Sequence, residues 1–156
     1  MTRVLNSVSR TLDGYAGRGV FRGYTAEPGP RGTRRFRFLW LTRRPMTIQL
    51  DPARGRLVFQ DLFPAAARQF GVVEAVRAVV ASASSAERPA HRRLHPRRAK
   101  MTCRFVRGHG SLELALAGSN AEPAVRAALG LVNELFLVLH ECFPDYLIAE
   151  FGASPE

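Results

Sequence analysis

Lysine is almost missing from this chain: of 23 basic residues, Lys100 alone is not arginine. Acidic residues are missing from one stretch in particular. Between Arg88 and Arg107 the sequence carries eight basic side chains and no acidic one, whereas His109 to Glu156 carries seven acidic side chains and one basic one, Arg126. That segregation marks where a partner would dock without saying what the partner is. Cysteine is scarce as well. Cys103 and Cys142 are too few for a disulfide framework and match no close metal-ligand pairing, so two reduced thiols in a cytoplasmic protein are expected. No run of 18 consecutive apolar residues occurs, so nothing reads as a membrane span. The first ten residues, Met1 to Arg10, hold no apolar run of signal-peptide length. Enzyme signatures are missing too: there is no Gly-x-Ser-x-Gly elbow and no Gly-x-x-x-x-Gly-Lys-Ser/Thr phosphate loop. Gly14-Tyr-Ala-Gly-Arg-Gly has its glycines in the wrong order for a dinucleotide fingerprint and reads as a turn. No cofactor is expected.

What is present describes one domain. At 156 residues and 46% hydrophobic, a chain of this size buries roughly 68–70% of its unfolded surface. A net charge of +10 and a pI near 11.2 attract polyanions. The same arginine excess, in a chain also rich in alanine and glycine, is what GC-rich bacterial-type coding produces with no selection for binding.

Leu5, Val8 and Leu12 form a short helical stripe that Gly14 is expected to end, and the Gly/Pro-rich stretch to Gly32 reads as a mobile arm or, over Val20–Tyr24, an edge strand. Residues 1–33 are thus a short helix plus a Gly/Pro-rich arm or edge strand, 34–152 a single α+β domain and 153–156 a tail. From Arg34 the pattern sharpens. Phe36, Phe38 and Trp40 alternate with arginines, and Met46, Ile48 and Leu50 alternate with Thr47 and Gln49, which is strand periodicity. Asp51-Pro-Ala-Arg-Gly55 supplies a turn, and Arg56–Phe63 completes a hairpin. Pro64 suits a helix start, with Phe70, Val73, Val76 and Val80 as its buried stripe. Met101, Cys103 and Phe105 begin a second hairpin that turns at Gly108-His109-Gly110 and returns through Leu112, Leu114 and Leu116. A helix capped by Ser119 or Asn120 runs to Phe143, and a closing helix over 145–151 ends at Gly152.

The fold class is therefore α+β: an antiparallel sheet with the order (α)-(β)-βββ-α-ββ-α and helices packed mainly on one face. Met46-Thr47 and Met101-Thr102 open the two hairpins, and Ala75-Val-Arg-Ala78 is answered by Ala124-Val-Arg-Ala127, which suggests a ββα–ββα pseudo-repeat. In the long helix, apolar residues from Ala124 to Phe143 cover an arc of roughly 200°, twice what a surface helix needs. One side of the arc faces the sheet. The other calls for the N-terminal helix, the closing helix or a second copy of the chain, so Leu131, Leu135, Val138 and Cys142 are candidate self-association residues of a homodimer.

Other constellations are weaker. His91, His95, Cys103 and His109 contain zinc-ligating types, but Pro96 and the surrounding cations oppose a dication, and no metal is expected. His140, Glu141 and Asp145 read as a solvated strip. Arg88, Arg92, Arg93, Arg97, Arg98, Lys100, Arg104 and Arg107 are the candidate residues for binding a polyanion or an acidic partner. The run Arg34–Trp40 mixes arginines with aromatics as a base-stacking sheet would, although its alternation puts all three aromatics on one face, as a core does. The element order is similar to that of bacterial secretion-chaperone-like domains, a resemblance of topology alone, which implies homodimeric or adaptor modules that hold protein partners. The expectation is a non-catalytic protein-binding or adaptor module that self-associates. A nucleic-acid-binding module using residues 88–107 is the alternative, and an enzyme with an unrecognised site the third.

Overall fold

Alternation in the sequence becomes one-sided burial in the sheet. The computed structural model describes residues 2–95, 99–117 and 120–152. Strand β1 (Arg22–Pro28) is followed by β2 (Arg34–Leu39), β3 (Met46–Asp51) and β4 (Arg56–Phe63), then by β5 (Met101–Val106) and β6 (His109–Ala115). They form one sheet in the order β1-β2-β3-β4-β6-β5, with every neighbouring pair antiparallel. Phe36, Phe38, Ile48, Leu50, Leu57, Phe59, Leu112 and Leu114 point to one face and are buried there. Four helices cover that face: α1 (Thr2–Gly17), α2 (Val72–Ala81), α3 (Ala121–Cys142) and α4 (Pro144–Phe151). The opposite face carries Arg35, Arg37, Thr47, Gln49, Val58, Gln60, Ser111, Glu113, Thr102 and Arg104, all at least partly exposed.

The two hairpins β3–β4 and β5–β6 meet along β4 and β6, each followed by a helix on the covered face. An approximate two-fold axis normal to the sheet would produce that order, which gives the ββα–ββα pattern a geometric form. Met46 and Met101, which open the two units, are both buried.

Helix α3 lies at the centre and is packed against α1, α2, α4 and the turn at 90–92. Its apolar arc is thus covered on both sides by the chain's own elements. Leu131 and Leu135 are buried, Val138 is half-buried and Cys142 is exposed, while Leu137 stands out at 61% exposure. The arc no longer asks for a second copy.

Three local expectations need correction, and one open alternative is decided. Helix α1 does not end at Gly14 but continues to Gly17, with Val4, Val8 and Leu12 as its buried stripe. Of the two readings of the N-terminal stretch, the edge strand holds, shifted to residues 22–28, which pair with β2. Helix α2 begins at Val72 rather than after Pro64, because Phe63 to Ala66 are buried as an irregular corner and Gly71 takes a φ of +93° immediately before the helix. Its stripe is then Val72, Val76 and Val80, and Phe70 is 95% exposed. Finally, the β5–β6 turn is Arg107-Gly108, both at positive φ (53° and 82°). That is the two-residue geometry that suits hairpin twist, and it places His109 inside β6.

Candidate functional site: a free sheet edge

A sheet has two ends, and this protein treats them differently. At one end β1 is irregular: its register shifts between Arg22 and Thr25, Gly23 has positive φ, and Pro28 cannot donate a hydrogen bond. Such features blunt an edge against further pairing. At the other end β5 pairs with β6 in unbroken register from Met101↔Leu114 to Val106↔His109.

The direction of the β5 backbone follows from one bond. Ala115 N–H donates to Lys100 O at 2.9 Å, and these residues lie directly opposite one another. Hydrogen-bonded pairs alternate along an antiparallel ladder, so residues 100, 102, 104 and 106 bond to β6. Met101, Cys103 and Phe105 therefore turn their N–H and C=O groups outward. Those three N–H and three C=O groups form no hydrogen bond to another described residue. They constitute a ready template for an added strand.

The side chains around this template are basic. On the helix side Arg77 of α2 stacks over the Phe105 ring, 5.3 Å from its centroid. Burial pushes the Cys103 thiol up from its ordinary range, and the Arg77 guanidinium pulls it part of the way back. On the open side lie Arg104 and, at the two ends of the strand, Lys100 and Arg107, all exposed. Neither β5 nor its turn contains an acid. Glu113, across from Thr102, is taken by Arg56, and Glu74 sits one turn before Arg77 on α2.

The described cations of the basic stretch do not form one face. Arg88 is largely buried, with a side-chain exposure of 14%, and pairs with Glu134 on α3 at 2.6 Å while donating to Ser82 O and Ser82 Oγ, each at 2.8 Å. Arg93 donates to the carbonyls of Ser85, Ala86 and Arg88. These two arginines organise the chain between α2 and β5, which Leu94 and Ala99 anchor in the core. Arg92 is exposed beside a groove of about 580 Å³ that also includes Arg88, Leu131, Glu134 and Leu137. Arg97 and Arg98 lie outside the described residues.

Other candidates are dispersed. Cys103 faces the helices whereas His109 sits on the open face, so the two do not share an ion. No group of three or more metal-ligating side chains occurs among the described residues. Sequence reasoning missed a polar cluster at the β4 bulge, where Asp61 has φ +45°. There Arg44 binds the Asp61 carbonyl and carboxylate, the Asp61 N–H donates to Ser111 Oγ, and the Ala65 N–H donates to His109 Nδ1. The Ser111 hydroxyl and the His109 imidazole thus each receive a backbone N–H rather than each other, and the cluster fixes the corner that leads to α2. The aromatics of β2 serve the core: Phe36 and Phe38 are buried, and Phe38 stacks on Phe21 with centroids 3.9 Å apart. Comparison of the chain with models of protein families, with curated proteins and with solved structures finds no match.

Proposed function

We propose that this protein is a non-catalytic module that captures an extended, acidic polypeptide segment by strand addition to β5. The observation that carries the reading is the regular β5 edge, unpaired among the described residues, whose three outward residues are flanked by Arg77, Lys100, Arg104 and Arg107 with no acid on the strand. Main-chain hydrogen bonds supply affinity in such a mode, and side-chain neighbours supply selectivity. The nucleic-acid alternative has less support. Of the aromatics that would stack on bases, Phe36 and Phe38 are buried and Trp40 is half-buried, and Arg88 and Arg93 are engaged within the chain.

The test uses a fluorescent eight-residue peptide of alternating Glu and Val, followed by anisotropy. Saturable binding is expected, lost when every second peptide amide is N-methylated and weakened by salt. Equal binding of the N-methylated peptide, or no binding of the parent, overturns the reading. Tighter binding of a single-stranded oligonucleotide, abolished by reversing Arg92, Arg104 and Arg107 to Glu, would replace it with the nucleic-acid function.

A further inference from the structure

We infer that Phe70 is the specificity anchor of this edge, selecting partners that carry a bulky apolar residue just beyond the acidic stretch. The inference rests on the strand-addition reading and adds to it the identity of the segment captured. Phe70 is 95% exposed although it is a large aromatic, and the buried stripe of α2 is complete without it. Its position relative to β5 follows from two contacts. Ala67 N–H donates to Gly108 O at 3.2 Å, and Arg77 lies over Phe105. Helix α2 therefore runs antiparallel to β5, and the loop before it stands beside the Arg107-Gly108 turn. Phe70 thus lies in the loop beside the Val106 end of the free edge. Val106 is itself 53% exposed, and Arg68 and Arg107 flank the same end.

An exposed phenylalanine beside arginines has the composition of an interface. Its charge setting points to the same acidic partner as the strand. A second copy would bring another equally basic edge against Lys100, Arg104 and Arg107. A segment that pairs antiparallel to β5, as every strand of this sheet does with its neighbour, has its N-terminus at Val106. The apolar residue therefore belongs just N-terminal to the acidic residues.

The experiment compares three peptides: the alternating Glu/Val parent, the parent extended by Leu-Gly at its N-terminus, and the parent extended by Gly-Leu at its C-terminus. Each is titrated against the wild type, Phe70→Ser and the control Leu137→Ser, with melting curves for all three proteins. The N-terminal extension is expected to tighten wild-type binding about tenfold, with no gain for the C-terminal one. Phe70→Ser should erase that gain while leaving parent binding and melting temperature unchanged, and Leu137→Ser should keep it. Parent binding with no gain from either extension overturns the anchor alone, as does a gain that survives Phe70→Ser. Failure of the parent to bind the wild type overturns the strand-addition reading and the anchor with it.

Discussion

Removing Arg88 tests whether the basic stretch is architecture or surface. In Arg88→Met the chain loses three hydrogen bonds from one guanidinium: to Glu134 Oε2, Ser82 O and Ser82 Oγ. Each contributes about 1 kcal/mol net, somewhat more where the partner is charged. Glu134 is 43% exposed, so water solvates it once it is alone and the penalty for stranding it is small. The total is roughly 2–3 kcal/mol, or about 5–10 °C in melting temperature for a domain of this size. Arg92→Met removes an exposed side chain that makes no ion pair among the described residues, and such surface changes stay within about 0.5 kcal/mol. Urea denaturation followed by far-UV circular dichroism measures both, and a double-mutant cycle with Glu134→Gln isolates the pair. Similar losses for the two single variants, or a loss below about 0.5 kcal/mol for Arg88→Met, would refute the assignment of Arg88 to the fold.

Other outcomes follow from packing and titration. Gly55→Ala should cost about 2–4 kcal/mol in denaturant melts, because Gly55 has φ +61° and an added Cβ would run into the Leu116 carbonyl, whose own N–H is held by Gly55 O at 2.7 Å. Leu135→Asp should prevent folding, whereas Leu137→Asp, two residues on but 61% exposed, should leave the melting temperature within a few degrees. Burial holds the hydroxyls of Tyr24 and Tyr146 well above the ordinary tyrosine value of 10.0, with Asp13 reinforcing the first and Glu150 the second. The unfolded chain therefore releases these protons near pH 10 while the folded chain keeps them. Stability is fully present below that pH and falls as pH rises beyond it. Denaturant melts at pH 9 and 11 should show the fall, and Tyr146→Phe, which also gives up a 2.8 Å bond to Pro64 O, should reduce its slope.

The strands were legible because a sheet covered on one face imposes a period of two, and Phe36, Ile48 and Leu112 announce it directly. The central helix was legible from its wide apolar arc. What covers that arc was not, since α1 and α4 reach α3 through contacts that no local pattern encodes. Phe70 was misread because Pro64 is a genuine helix-entry signal. Burial of residues 63–66 overrode it, and the four-residue spacing of Val72, Val76 and Val80 was the better guide. The candidate site was half visible. Charge segregation located residues 88–107, but β5 becomes an edge only because β6 pairs with β4 some fifty residues earlier in the chain, and Arg88 leaves the surface only because Glu134 lies 46 residues away.

On the strand-addition proposal the cations beside β5 serve two ends at once, and salt separates them. An unpaired strand invites self-pairing, and positive charge along an edge is a common defence against it. The same charge would attract the acidic strand proposed above, so one device would both reject a second copy and select the partner. Screening acts on the two in opposite senses. The Debye length falls from about 10 Å at 0.1 M salt to about 3 Å at 1 M, which weakens attraction to an acidic peptide and relieves repulsion between two β5 edges. Sedimentation velocity should then show a monomer of 17.3 kDa at 0.1 M salt and a growing dimer fraction at 1 M, while peptide affinity declines over the same range. Cys103→Pro removes the central outward N–H without touching the β5–β6 ladder, and it should suppress the high-salt dimer and the peptide complex together. A dimer that is strongest at low salt, or one indifferent to proline at position 103, would show that copies of this chain meet elsewhere and that the charge on β5 does not govern its pairing.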